Sequence, residues 1–259
     1  MSTIISSITR QGAFEPFELQ VSRGQIQGHR SVIVFGFNPD VDTTQVSVWP
    51  LPSLITFPAS ALQMTVSSTS ANDTSAGTGA RTVIVQGLDA NYNEVTETVT
   101  MNGQTAVTMT ASLLRVNYAY VATAGSANSA VGDIYIGTGT VTAGVPATTY
   151  DIIKIDYNNT TTGSYTIPAG YTAYVTQGLF SAGQAGGSNQ VQGRLLSRGT
   201  DNIRRTAAIT SLNNGVADYV FEYPLAVPEK TTLEATAIGS SSNNAVSSLF
   251  ILVLVKEGP

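Results

Sequence analysis

The chain has 259 residues, a net charge of −5 and 11% charged residues, where an ordinary soluble domain carries roughly 25%. It has no Cys, which excludes disulfides, thiolate zinc sites, iron–sulfur clusters and cysteine nucleophiles. Its one histidine, His29, cannot build a multi-histidine metal site from one chain, and the acidic balance argues against binding driven by phosphate neutralisation.

About a quarter of the chain is Ser plus Thr. A surface of Thr, Ser, Asn, Gln and Gly is neutral, and neutral surfaces resist self-association poorly. That composition suits a chain that works in an assembly, and equally an uncharged secreted β-protein. The length allows one large or two modest domains, each able to bury a core without staples. The stretch MSTIISSITRQGAF has no basic start and no long apolar run, so no secretory signal is read from it. No run of about 18 apolar residues marks a membrane span. Three Asn-x-Thr matches, at Asn72, Asn158 and Asn159, are what chance gives in a chain this rich in Asn and Thr.

In chain order, the first 20 residues mix isolated apolar positions with Pro16 and lack a hairpin partner. They read as an extended arm that anchors through Ile8, Phe14, Phe17 and Leu19, or else as a loose terminus. His29 to Phe35 is a strand, and His29 reads as an ordinary surface or core histidine. A turn at Asn38-Pro39-Asp40 leads to a second strand ending at Trp49, which reads as a core anchor or a ligand platform. Pro50, Pro52 and Pro58 then argue for a crossing segment or an edge.

Residues 61–146 read as a β-sandwich. On the strand Glu94–Met101, Val95, Val99 and Met101 share one face while Glu94, Thr96, Thr98 and Thr100 share the other, so one side is solvated. Asn102-Gly103 is a two-residue hairpin signal. Residues 147–259 read as a jelly-roll-like unit of roughly eight strands, with a turn expected between Pro224 and Pro228. The longest apolar stretch, Leu249 to Val255, has the length of a buried strand. The expected fold is therefore all-β: an N-terminal arm and crossing segment (1–60), then two serial antiparallel units.

Chemistry is sparsely encoded. Asp89-x-Asn91-x-Asn93 opens like a calcium loop, but the sixth and twelfth positions hold Glu94 and Thr100 instead of Gly and Glu. A turn built on Asx hydrogen bonds fits better. Gly77-Thr78-Gly79, Gly137-Thr138-Gly139-Thr140 and the loop at 183–188 lack the Lys and helix of a phosphate loop. No Gly-x-Ser-x-Gly elbow exists, and Glu94 and Glu97 point to opposite faces of one strand; Glu222, Glu229 and Glu234 remain able to meet in space. Arg194, Arg198, Arg204 and Arg205 concentrate positive charge. They read as a patch that pairs with an acidic neighbouring subunit, or as a solvated strand face. On a strand, Arg204 and Arg205 must split across its two faces.

Segments 64–83 (Met64-Thr65-Val66-Ser67-Ser68 to Arg81-Thr82-Val83), 87–94 (Gly87-Leu88-Asp89-Ala90-Asn91-Tyr92-Asn93-Glu94) and 98–107 (Thr98-Val99-Thr100-Met101-Asn102-Gly103 onward) resemble virion structural proteins of tailed bacteriophages, especially those of aquatic hosts. Gly132–Gly139, Ile167-Pro168-Ala169-Gly170-Tyr171, Arg23–Gly28 and Phe35-Gly36-Phe37-Asn38 are similar to the same group. The likeness runs from about residue 20 to 180. It implies a non-enzymatic particle component and carries no catalytic residue and no cofactor.

Two readings follow. In one, the chain is a capsid decoration or cement protein on the outer shell. It forms a homo-oligomer, expected to be a trimer, that contacts the major capsid protein or other virion proteins. Its interface residues are then Ile8, Phe14, Phe17, Leu19, Trp49, Arg204 and Arg205. In the other, it is a tail or fibre component whose Tyr165, Tyr171 and Tyr174 group on one outer face to bind a host glycan. A carbohydrate-active enzyme is a third and weaker reading. None of these calls for a metal, a nucleic acid or a membrane.

Overall fold

A computed structural model describes residues 15–183 and 190–258. Thr, Val, Ile and Tyr in period-two runs make strand its dominant structure, because β-branched and aromatic side chains fit a pleated, half-buried surface. The described residues begin with α1 (Phe17–Ser22), β1 (His29–Val41) and β2 (Val46–Ser47). Seven consecutive strands follow: β3 (Leu62–Ser68), β4 (Ala80–Leu88), β5 (Glu94–Thr100), β6 (Val107–Leu113), β7 (Arg115–Ala124), β8 (Ile134–Thr142) and β9 (Val145–Ile153). The remainder is β10 (Ser164–Thr166), β11 (Tyr171–Gly183), β12 (Gln190–Arg198), β13 (Arg204–Asn213), β14 (Gly215–Val227), β15 (Thr232–Gly239) and β16 (Asn244–Lys256). All ladders are antiparallel, so the fold is all-β as expected.

The strands sort into two sandwiches. Strands β3–β9 make one, from a four-stranded sheet in the order β6-β3-β8-β9 and a three-stranded sheet in the order β5-β4-β7. Met64, Val66, Val85, Met101, Met109 and Ile136 fill the space between them. The second sandwich pairs a sheet β1-β16-β11-β14 with a sheet in which β2 and β10 both lie against β15, followed by β12 and β13. Its core includes Val34, Val175, Leu195, Leu233, Phe250 and Leu252. The eight strands β1, β2 and β11–β16 thus alternate between sheets in the order of a jelly roll, first-eighth-third-sixth against second-seventh-fourth-fifth. The β3–β9 sandwich is inserted between the second and third strands of that roll.

This arrangement differs from a serial pair of units behind an arm. Residues 29–47 are roll strands, because β1 pairs along its length with β16 at the far end of the chain and β2 pairs with β15. The expected boundary at 146/147 falls inside β9, which pairs with β8 through the two-residue turn Ala143-Gly144. Both turn residues have positive φ, 49° and 84°, the geometry of a type I′ hairpin. A Cβ on Gly144 would stand 1.9 Å from the Ser68 carbonyl oxygen, so only glycine fits.

Asn102-Gly103 does not close a hairpin. Strands β5 and β6 belong to different sheets, and the chain crosses between them as Gly103 N–H donates to Asp73 O. The described end of the arm is helical rather than extended: Phe17–Ser22 forms a short helix behind Pro16. Pro224 marks no closing turn. It sits in a bulge of β14, where residues 221–224 oppose Thr176 alone on β11. No described helix is long and apolar enough to cross a membrane.

Candidate interaction surface

Three features concentrate polar or apolar chemistry outside the two cores. The first is the joint between the sandwiches. Trp49 is 2% exposed and packs with Ile55 and Ile152, while its indole N–H donates to Ser53 O at 2.8 Å. Beside it, the Arg115 and Arg198 guanidinium carbons lie 4.8 and 4.2 Å from the Phe57 ring centre, within cation–π range. Burial lowers the pKa of both arginines, although Glu234 works the other way at Arg198. Glu234 is buried, accepts Ser47 Oγ–H at 2.6 Å, and faces Arg198 at 3.8 Å and Arg204 at 3.6 Å.

The carboxylate that the arginine cluster faces is therefore the chain's own. Arg204 turns to Glu234 and Arg205 turns to Asp201 at 2.7 Å, so the dyad splits as period two requires. Arg194 bonds Gln192. Glu229 accepts the Gly170 N–H on the exposed surface, and Glu222 is exposed, whereas Glu234 is buried among the arginines.

The second feature is a groove of about 530 Å³ between the edge of β1 and the β5-β4-β7 sheet. Arg30, Gln86, Glu94, Asn117 and Tyr118 line it. Arg30 bonds Glu94 across it and stacks over Tyr171 at 4.9 Å. Partial burial opposes the Arg30 charge, but the Glu94 hydrogen bond and the surrounding groups outweigh it and raise its pKa. Tyr118 and Tyr120 pack with ring centres 5.7 Å apart. Tyr165 also lines the groove, yet it is buried, and burial pushes its pKa up to about 12. Tyr165, Tyr171 and Tyr174 thus form no exposed aromatic group: Tyr165 belongs to the roll core, Tyr171 packs against it, and Tyr174 lies on the opposite side of its sheet.

The third feature is the outer face of the β1-β16-β11-β14 sheet. Strand register puts Ile33, Ile251, Gln177 and Val220 in one row and Phe35, Leu249, Leu179 and Asp218 in the next. Ile33 and Val220 are 65% and 76% exposed, and Val216, one row further on, is 63% exposed. The outer face of the β5-β4-β7 sheet is more polar: Thr82, Thr96, Thr98, Thr100, Thr123 and Gln86 share it with Ile84, Tyr118 and Tyr120, and the Thr82 and Thr123 hydroxyls are bonded at 2.6 Å. The first of these sheets has a mostly apolar outer side, whereas the β5-β4-β7 sheet has a mostly polar one, as expected.

Of the residues expected at an interface, Ile8 and Phe14 lie outside the described residues. Phe17 and Leu19 are half-exposed on α1, with the Phe17 ring edge-on to His29 at 6.1 Å. Trp49 is buried inside the molecule, so it joins the two sandwiches rather than a partner. Asp89 makes the Asx turn: its Oδ1 accepts the Asn91 and Asn93 N–H groups at 2.7 and 2.9 Å. Against a desolvation penalty, those donors hold its carboxyl below the usual range. Among the described residues no three His, Cys, Asp or Glu side chains cluster to hold a metal.

The apolar face went unread in the sequence. Its signal was the Leu249–Val255 run, which lacks the alternation that a strand with one wet side shows.

No protein-family model and no curated protein matches the chain. Among solved structures, the VP2 subviral particle of infectious bursal disease virus is similar over 90% of this chain and 73% of that one, at 11% identity and a TM-score of 0.24. The Gx strain of the same virus is similar over 89% and 71%, at 12% identity and a TM-score of 0.23. At these scores the likeness transfers neither fold nor role.

Proposed function

We propose that this chain is a structural component of a virus particle: a capsid decoration or cement protein that binds the outer shell and stabilises it through contacts with shell subunits and with other copies of itself. The observation that carries this reading is the apolar outer face of the β1-β16-β11-β14 sheet. A monomer gains nothing from an apolar sheet face turned to water, whereas a subunit of an assembly needs one. The resemblance of residues 20–180 to virion structural proteins of tailed bacteriophages supports the same reading, as does the jelly roll, a fold that serves capsids among other roles. Quantitative mass spectrometry of purified particles tests it. Hundreds of copies per particle are expected for a shell protein; absence from the particle refutes the reading.

A second reading, a tail or fibre component that binds a host surface glycan, is favoured by the groove beside β1. Gln86 and the paired Arg30 and Glu94 side chains give it polar groups next to the Tyr118 ring. About a dozen copies or fewer per particle, with binding of the isolated protein on a glycan array, would select it.

A further inference from the structure

We propose that a second copy of this chain packs, sheet on sheet, on the outer face of β1-β16-β11-β14. The assignment rests on the reading of the chain as an assembly subunit and names the surface by which copies meet. The argument begins with β16. Its inward residues Phe250, Leu252 and Leu254 already fill the roll core. Of its outward residues, Val253 is already buried by this chain, whereas Leu249 and Ile251 are only partly covered. In an antiparallel sheet with one wet side the outward positions are polar, as the threonines of β5 are. A strand that is apolar on both faces is a strand covered on both faces.

The character of the face selects the occupant. Across the rows that run from Ser31 to Phe37 and their register partners, the charged side chain is Asp218, which Gln177 Nε2–H holds at 2.9 Å, and exposed Glu222 follows in the β14 bulge between two of the rows. There is no positive charge in those rows to attract a nucleic acid, an acidic peptide or an anionic lipid surface. The face is a sheet surface, and sheets cover one another by stacking about 10 Å apart. A fitting partner brings an apolar sheet of the same size, and this chain's own face is such a sheet. Four strands at about 4.8 Å spacing and about 3.4 Å per residue give a footprint of roughly 500 Å² per copy. Two such faces reach the roughly 1,000 Å² at which specific interfaces begin. Because the same patch serves both copies, the contact is closed and does not propagate.

Sedimentation equilibrium of the full chain tests this, with Ile33→Lys and Val220→Lys as the variants. Both positions are mostly exposed, so the substitutions leave the cores intact, and an unchanged thermal midpoint verifies that. Thr98→Lys, on the threonine face, is the control. The unmodified chain is expected to associate reversibly below about 100 µM, with each face variant weakening association by about tenfold or more and the control leaving it unchanged. A chain that stays monomeric over that range, or face variants that associate like the parent, overturns the proposal. Such a result leaves the particle reading standing, because copy number in particles is measured separately. Conversely, a chain that pairs in solution but is missing from particles removes that reading and keeps the interface.

Discussion

Arg198 holds its guanidinium 3.8 Å from the Glu234 carboxylate, and neither of the facing atoms, Nη2 and Oε2, has a hydrogen-bond partner. The pair is held by charge alone at the joint between the sandwiches, with Arg204 at 3.6 Å on the same oxygen. Removing one partner of a buried pair leaves the other charge uncompensated. Glu234→Gln keeps an acceptor for Ser47 and deletes the charge. It is expected to cost about 3 kcal/mol in urea unfolding; an unchanged midpoint would show that water already screens these arginines.

Asp151 sets a pH dependence. It is buried on β9, and desolvation raises its pKa to about 7 despite hydrogen bonds from Thr162, the Ile152 N–H and Thr160. Its folded pKa lies above its unfolded value, so the folded state binds the extra proton between about pH 4 and pH 7. Stability from this group is present below about pH 4 and is lost as pH rises through 7. Asp151→Asn is expected to be stabilising by a few kcal/mol at pH 8 and nearly neutral at pH 4. Unfolding curves of both proteins at the two pH values decide it.

Asp73 organises the loop between β3 and β4. Its Oδ1 accepts the Ala80 N–H at 2.6 Å and the Val131 N–H at 3.0 Å, and its Oδ2 accepts Ser68 Oγ–H at 2.6 Å. Asp73→Ala strands these donors, and the expected loss is about 3–5 kcal/mol. Amide exchange at Ala80 and Val131 should quicken in the variant; protection equal to the parent's would contradict the role.

The β8–β9 turn can be improved. Ala143 holds φ at 49°, a conformation that costs a residue with a plain Cβ roughly 1 kcal/mol and suits Asn. Ala143→Asn is expected to raise stability by about that amount, read as a higher thermal midpoint. A fall would mean that the turn is set by its surroundings.

Legibility in the sequence followed range. Alternation at Glu94–Thr100 correctly identified a wet face, and the period-two runs identified an all-β chain. What was illegible depends on partners far apart in the chain. His29 pairs with Val255, and no local pattern announces that β1 belongs with β16, so the insertion of one sandwich into the other read as two units in series. Ala143-Gly144 lacks the Asn that marks a type I′ turn, which allowed a boundary to be drawn through β9. Asn102-Gly103 carries that mark, but Glu97 turns inward and accepts the Thr110 and Ala111 N–H groups of β6 at 2.8 Å, joining β6 to β5 by side chain rather than by ladder. The acidic partner of the arginine cluster is Glu234, on a strand beyond the β13–β14 hairpin, so charge density alone could not tell a self-contained site from an interface.

Electron cryomicroscopy of intact particles tests the account's central claim most directly. The account predicts two-sandwich densities repeated over the outer shell, with roll sheets of neighbouring copies stacked face to face. Density for this chain confined to the tail, or none on the particle, would contradict it.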